Sequence, residues 1–368
     1  MISGLCAAKC NEEIFFRRSE PTMNTQALIA TAKALLVDGK GLLAMDESSG
    51  TCNQRFAAVG IAQTMEMRRA YRELLLTAPG LNAHISGVIL FDETLHQASS
   101  NGTPFIQVAQ DEGILIGIKV DTGAKDLAGH FGEKVTEGLD GLRERLQTYF
   151  EQGARFAKWR GVIAIDDSHS PTILPTPACI QANAHALARY AAMCQEAGLV
   201  PIIEPEVLME GVHTQVRCQA VTEAVLRSVF EQLAQQDVLL EAILLKPNMV
   251  TSGLACATKN SASEVADATL QCLRRVVPAA VPGIAFLSGG QSGQQASGNL
   301  NAMHMGHDTD ALPWVLTFSF ARALQNPALE IWAGQEANRE AAQAALLHRA
   351  LCNSAALAGE YNEAMETH

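Results

Sequence analysis

Eight short runs of β-branched and large aliphatic residues, each closed by glycine, proline or polar residues, recur along this chain and constrain its fold more than any other feature. They are Gly41–Met45, Ile85–Phe91, Ile114–Val120, Arg155–Trp159, Leu199–Ile203, Ala242–Lys246, Gly283–Leu287 and Trp314–Phe320. Segments with helical spacing lie between them. Thr64–Leu76 and Gly138–Glu151 are charged and amphipathic, while Ile180–Glu196 and Thr214–Gln235 carry long Ala/Leu/Val stripes. Ser263–Val276 and Glu336–Ala358 read the same way. Strands alternating with helices predict a parallel sheet with crossover helices. The runs share no sequence self-similarity, so a repeat array is excluded.

The ends of these runs separate a barrel from an open sheet. Several are apolar through the middle and then finish in a charged or hydroxyl residue: Met45-Asp46-Glu47-Ser48, Ile118-Lys119, Lys158-Trp159-Arg160, Ile203-Glu204-Pro205-Glu206, Leu245-Lys246-Pro247, Leu287-Ser288-Gly289-Gly290 and Phe318-Ser319. Polar groups at the carboxyl ends of many successive parallel strands predict a (β/α)8 barrel with its active site there. An open sheet would use one crevice and leave most strand ends bland. No Pro/Ser-rich linker interrupts the chain, so residues 23–368 are expected to form a single barrel domain. Residues 1–22 read as a disordered extension without the apolar stretch of a secretory signal, and translation from Met23 is an alternative start.

Composition narrows the partners. Of 368 residues, 48% are hydrophobic and 18% charged, which fits a globular chain with a large core. With 27 basic and 39 acidic side chains the net charge is −12, which argues against nucleic acid or an anionic membrane as the main partner. No apolar run approaches the roughly 18–20 residues of a membrane helix. Nine cysteines, none in a Cys-x-x-Cys pair, read as reduced thiols and a cytoplasmic location.

Lys246 ends an apolar strand. Desolvation there disfavours the charged amine and frees a nucleophile; a structural lysine paired with a carboxylate is the bland alternative. Lys158 and Arg160 are two apart and share one strand face. Facing inward, they would lie near Lys246 and bind an anion; facing outward, they would pair with helix carboxylates. Trp159 between them reads as packing. Glu204 and Glu206 repeat the geometry with opposite charge, and such a set is expected to hold one carboxylic acid protonated for general acid/base work. An interior ion-pair network without chemistry is the competing reading.

Asp46 opens Asp46-Glu47-Ser48-Ser49-Gly50-Thr51, followed by Arg55. Ser48, Thr51 and Arg55 could hold a phosphate, or Asp46 or Ser48 could simply cap the next helix. Leu287-Ser288-Gly289-Gly290-Gln291-Ser292 is the stronger phosphate candidate, because two glycines let backbone N–H groups approach an anion and barrels bind phosphate after their seventh and eighth strands. Ser319-Phe320-Ala321-Arg322 would add a guanidinium. His304 and His307 read as solvated loop residues without a third ligand, so no metal site and no cofactor is expected. Walker, dinucleotide-binding and nucleophile-elbow motifs are absent from the sequence.

Together these stretches resemble class I fructose-1,6-bisphosphate aldolase, the metal-free Schiff-base type, over about Ala27 to Tyr361. The resemblance rests on Gly39-Lys40-Gly41 through Asp46-Glu47-Ser48, Gly87-Val88-Ile89-Leu90-Phe91, Gly117-Ile118-Lys119-Val120-Asp121 and Phe156-Ala157-Lys158-Trp159-Arg160. It continues in Val200-Pro201-Ile202-Ile203-Glu204-Pro205-Glu206, Leu244-Leu245-Lys246-Pro247-Asn248-Met249-Val250 and Phe286-Leu287-Ser288-Gly289-Gly290-Gln291-Ser292.

It implies that Lys246 forms the iminium with the substrate ketone and that Glu204 assists carbinolamine dehydration. Asp46 looks like the carboxylate that takes the C4 hydroxyl proton, Lys158 like the supporting cation, and Glu206 like an orienting partner. Ser288, Gly289 and Arg322, with Ser319 nearby, resemble the cradle of the ketone-side phosphate. Ser48, Thr51, Arg55, Lys119 and Arg160 resemble the distal phosphate site. A homotetramer is implied too.

The sequence departs from the family at Ala321, where many members have glycine, and at Gln54, where animal members carry a basic residue. The chain stops at His368, soon after Tyr361, whereas animal members have a longer tail ending in a tyrosine implicated in proton exchange. Tyr361 is expected to sit too near the last helix for that role, which would slow enamine protonation. Competing readings are a Schiff-base lyase for another ketose such as tagatose bisphosphate, a non-catalytic scaffold, and a metal-dependent aldolase.

Overall fold

The computed structural model describes residues 23–167, 173–305 and 311–367. The extension expected over residues 1–22 lies outside them. Ten strands occur in this part of the chain: β1 (Gly41–Met45), β2 (Ile85–Leu90), β3 (Leu115–Lys119), β4 (Gly123–Asp126), β5 (Lys134–Glu137), β6 (Phe156–Ile163), β7 (Val200–Val207), β8 (Leu244–Leu245), β9 (Gly283–Phe286) and β10 (Val315–Phe320). Eight of them close into a barrel in the order β1-β10-β9-β8-β7-β6-β3-β2, while β4 and β5 form a separate two-stranded sheet. Every barrel pairing is parallel. The fold is a (β/α)8 barrel, as the strand pattern predicts.

Side chains alternate across each strand, so two cores form. One parity packs against the helices: Leu43, Met45, Val88, Leu90, Ile116, Ile118, Trp159, Ile203, Leu245 and Phe286 belong to that large cluster. The other parity points into the barrel, where Leu42, Ala44, Ile89, Phe156, Val200, Ile202, Leu244 and Ala285 fill the lower half. The helix Met23–Leu35 closes the bottom, its Leu28, Ala32 and Leu35, with Leu36 beyond its end, joining the interior cluster. Two glycines make that interior possible. A Cβ on Gly117 would fall 2.1 Å from Phe156 Cε2, and one on Gly283 would fall 2.3 Å from Leu36 Cδ2.

Several strand bounds differ from those read in the sequence, for local reasons. Strands β6 and β7 continue four residues further, paired in register from Phe156↔Val200 to Ile163↔Val207. Their later inward residues are charged, so the apolar signal stops before the ladder does. Strand β8 is reduced to two residues, because Leu240–Ala242 forms a 3-10 turn. Lys246 is still held in line, its N–H donating to the Ile203 carbonyl at 2.7 Å.

Candidate active site

The inward parity turns from apolar to charged on moving up the strands. Above Phe156 on β6 come Lys158 and Arg160; above Ile202 on β7 come Glu204 and Glu206; above Leu244 comes Lys246. These residues line a cavity of about 1310 Å³ at the carboxyl ends of the strands. Every predicted site residue lines it except Gly290, which borders it: a Cβ there would sit 3.7 Å from Arg322 Nη2. Trp159, of opposite parity, is fully buried among the helices against Tyr190, ring centroids 5.5 Å apart, and is packing, as expected.

At the centre, four charged side chains form one chain of contacts. Lys158 Nζ lies 2.8 Å from Asp46 Oδ2 and 3.0 Å from Glu204 Oε2. Lys246 Nζ lies 3.3 Å from Glu204 Oε1. Each of the four residues is at most 7% exposed, so their charges act through little solvent. Burial would raise the Asp46 pKa, but the Lys158 and Lys246 ammonium groups outweigh it and hold the carboxyl at about 2. Burial likewise works to raise Glu204, and Lys158, Lys246 and Arg160 overcome it, so its pKa is lowered. Burial opposes the charge on Lys158 too, yet Asp46 and Glu204 hold its pKa well above the ordinary lysine range.

This corrects one expectation. Glu204 and Glu206 meet different cations, and those around Glu204 hold its pKa below the ordinary carboxylate value rather than raising it. Glu206 pairs with Arg160 Nε. Arg160 and Glu204 are directly opposite in the β6–β7 register, which sets Glu206 one inward step higher.

Two of the remaining predicted cations, Lys119 and Arg55, also carry carboxylates. Lys119 Nζ donates to Asp121 Oδ1 at 2.6 Å and to the Asp121 carbonyl at 2.8 Å. Arg55 pairs with Glu47, and its guanidinium also donates to Gln325 Oε1 at 2.9 Å and Asn326 Oδ1 at 3.1 Å. Glu47 is held from the other side by Arg72, 2.7 Å away. Asp121 and Glu47 went unassigned in the sequence reading. Lys119-x-Asp121 repeats the two-residue spacing of Lys158-x-Arg160 and Glu204-x-Glu206, a signal that could have found Asp121. Ser48 realises its capping alternative: it precedes the helix Ser49–Ala58, and its Oγ accepts from the Thr51 N–H at 3.3 Å.

Opposite lies an anion-shaped turn. Gly289 and Gly290 have φ of +56° and +86°, the left-handed region that favours glycine. The Ser288 carbonyl accepts from the Gln291 N–H and from Gln291 Nε2, both at 3.0 Å, which closes the turn. Ser292 and Gln295 then form a reciprocal cap, with Ser292 Oγ accepting from the Gln295 N–H at 3.1 Å and Gln295 Oε1 from the Ser292 N–H at 3.2 Å. The helix Gly293–Met305 follows. Arg322 opens the helix Arg322–Trp332, and among the described residues no carboxylate pairs with it. Ser319 Oγ is buried at the end of β10 without a hydrogen-bond partner among the described residues. An orphaned hydroxyl, a left-handed glycine pair and a free guanidinium therefore face one end of the cavity.

One further expectation meets the structure differently. His304 belongs to the last turn of the helix Gly293–Met305, not to a loop, and its buried Nε2 has no hydrogen-bond partner among the described residues; burial lowers its pKa. His307 lies outside the described residues. Among the described residues no three His, Cys, Asp or Glu side chains are grouped to hold a metal ion, and the seven cysteines are free thiols. No helix among them is long and apolar enough to cross a membrane. Tyr361 packs on the outer core, its OH donating to Glu366 Oε1 at 2.7 Å, away from the cavity.

The family model for fructose-bisphosphate aldolase class-I matches residues 27–368. A protein of Xanthomonas campestris pv. campestris named "Probable fructose-bisphosphate aldolase class 1" is 52% identical over 340 residues, covering 92% of this chain and 99% of its own length. Cytosolic fructose-bisphosphate aldolase 5 of Arabidopsis thaliana is 51% identical over 335 residues, 91% of each chain. The crystal structure of Plasmodium falciparum fructose-bisphosphate aldolase, in complex with TRAP and a small-molecule inhibitor, superposes with a TM-score of 0.90 at 46% identity, covering 93% of this chain and 97% of that one. With the barrel, its charged mouth and these likenesses in agreement, the chain belongs to the class I fructose-bisphosphate aldolases, lyases that reversibly cleave fructose 1,6-bisphosphate to dihydroxyacetone phosphate and glyceraldehyde 3-phosphate.

Proposed function

We propose that Lys246 is the Schiff-base lysine of this cleavage and that Glu204 moves the protons it requires. The observation that carries this is the bridging carboxylate: Glu204 offers Oε1 to Lys246 and Oε2 to Lys158. An ionised Glu204 acts first as a base. It accepts a proton from the Lys246 ammonium, the freed amine attacks the ketone carbon, and a proton passes from the attacking nitrogen to the resulting alkoxide to give the carbinolamine. Glu204 then returns its proton to the carbinolamine hydroxyl, which leaves as water, and an iminium remains. The iminium draws the electrons of the C3–C4 bond while Asp46, held as a carboxylate, takes the C4 hydroxyl proton. The aldehyde departs, and protonation and hydrolysis of the enamine release the second product. Lys158 stays positively charged throughout and holds Asp46 and Glu204 in place; Glu206 orients Arg160.

In this reading Ser288, Gly289, Gly290, Ser319, Ala321 and Arg322 take the ketone-side phosphate. Ser48, Thr51, Arg55, Lys119 and Arg160 face the distal one, which competes with Glu47 and Asp121 for their cations. The family resemblance supports a homotetramer, and the free thiols support a cytoplasmic location. Borohydride reduction with dihydroxyacetone phosphate in excess chelator, followed by peptide mapping, tests the assignment. The expected adduct is on Lys246; folded protein without one, or an adduct on Lys158, overturns it.

A further inference from the structure

Beneath the glycine turn lies an ion pair between a buried arginine and a half-buried glutamate that the reaction itself does not use. Arg349, in the helix Arg339–Leu357, is 4% exposed. Its Nη2 donates to Ser297 Oγ at 2.7 Å, and Ser297 Oγ donates to the Gly293 carbonyl at 2.9 Å, so the guanidinium grips the first turn of the helix that follows Ser288-Gly289-Gly290. The fit is close. A Cβ on Gly293 would fall 2.9 Å from Arg349 Nε and 2.9 Å from the carbonyl oxygen of Ala323, the neighbour of Arg322. Gly293 thus lies close against both Arg349 and the residue that follows Arg322.

That arginine sits badly by itself, because a cation beside a helix N-terminus opposes the helix dipole. Its counter-charge is Glu366, from the 3-10 turn Glu363–Thr367, which pairs with Arg349 Nη1. Glu366 Oε1 also accepts from Tyr361 OH, and its Oε2 accepts from Gln294 Nε2 at 3.4 Å, one residue into the same helix. The Tyr361 N–H in turn donates to Asn301 Oδ1 at 3.0 Å, laying residues 361–366 along that helix.

We infer that Arg349 and Glu366 are positioning residues for the phosphate cradle: the pair fixes the start of the helix Gly293–Met305 against Ala323, and so fixes the spacing between the Gly289-Gly290 turn and Arg322. This rests on the cradle assigned above. Because the cradle binds a phosphate that does not react, loosening it weakens substrate and transition state alike, which raises KM and leaves kcat.

The test uses the full chain with Glu366→Gln, and separately the charge-neutral double change Arg349→Met with Glu366→Leu, which removes the clasp without leaving a buried charge. Initial rates on fructose 1,6-bisphosphate are measured beside calorimetric binding of inorganic phosphate. Both variants are expected to raise KM about five- to tenfold, weaken phosphate in step and keep kcat within about twofold, a size common for residues acting through packed contacts. Tyr361→Phe, which removes one hydrogen bond and spares the ion pair, is expected to keep the wild-type KM. If the double variant fails to fold, Glu366→Gln decides. An unchanged KM in the folded variants, or a kcat that falls while KM holds, overturns the clasp. A wild-type chain that does not cleave the sugar overturns the proposed function instead.

Discussion

Replacing Lys158 with methionine isolates the electrostatics at the centre of the site. Lys158 touches Asp46 and Glu204, and removing it leaves two buried carboxylates that keep Lys246 but lose their nearest cation. The wild-type Asp46 carboxyl is held at about 2, against an ordinary 3.8. That depression is worth about 2 kcal/mol of stability. Because the folded pKa is the lower one, this stabilisation is present above pH 3.8 and is lost as pH falls through about 2. In the variant the burial penalty on Asp46 persists while its largest opposing charge is gone, so its pKa moves above the ordinary value.

Breaking a buried pair by removing one partner costs about 3–5 kcal/mol, which for a chain of this size lowers Tm by about 4–6 °C at pH 7. Acidification from pH 7 to pH 4 protonates Asp46 in the variant and leaves it ionised in the wild type. The Tm gap should therefore narrow by about 2–3 °C. Thermal unfolding of both proteins at pH 4, 5.5 and 7 measures it. Glu204 also loses Lys158 and acts in the same direction as Asp46, while the acidic groups away from Lys158 titrate alike in both proteins and cancel in the difference. A gap of equal size at pH 4 and pH 7 refutes the argument, as does an Asp46→Asn, Lys158→Met double variant no more stable than Lys158→Met.

Two other substitutions test separate parts of the structure. Gly117→Ala places a methyl 2.1 Å from a ring carbon of Phe156 inside the barrel and should cost about 1–3 kcal/mol by overpacking, read as a lowered denaturant midpoint; an unchanged midpoint would show that Phe156 yields freely. Ser319→Ala removes a buried hydroxyl that has no partner among the described residues, so stability should hold or rise slightly while KM for fructose 1,6-bisphosphate climbs about three- to tenfold. A destabilised variant with unchanged KM would contradict the role given to that hydroxyl.

What could be read in the sequence, and what could not, follows from where each signal originates. The barrel strands are legible because their outward parity is apolar, and the strand-end charges are legible because inward positions near the mouth have no apolar contact to make. The hairpin β4–β5 escapes notice: seven of its eight residues are exposed or half-buried, so no alternation marks it. The helix Gly293–Met305 escapes too, since it buries Ala296, Ser297 and Asn301 alongside Leu300 and Met303 and so shows no stripe. Pro327 inside the helix Arg322–Trp332 masks a third element. At the site, residue types and spacing identify the participants but not their pairing. Which carboxylate meets which cation depends on barrel register and on contacts such as Asp46–Lys158, made between strands that are not neighbours. That is why two glutamates on one face, whose spacing suggests one protonated acid among them, are found serving different cations.

The apolar floor of the barrel has a kinetic consequence. Leu35, Leu36 and Phe156 fill the lower end, so among the described residues the cavity opens at the carboxyl ends of the strands. A reaction that makes two molecules from one must empty both through the same rim. The fragment bound nearer the rim has to clear it before the deeper one can follow. An order of departure is thereby imposed by the shape of a blind vessel, with no gate or moving part required.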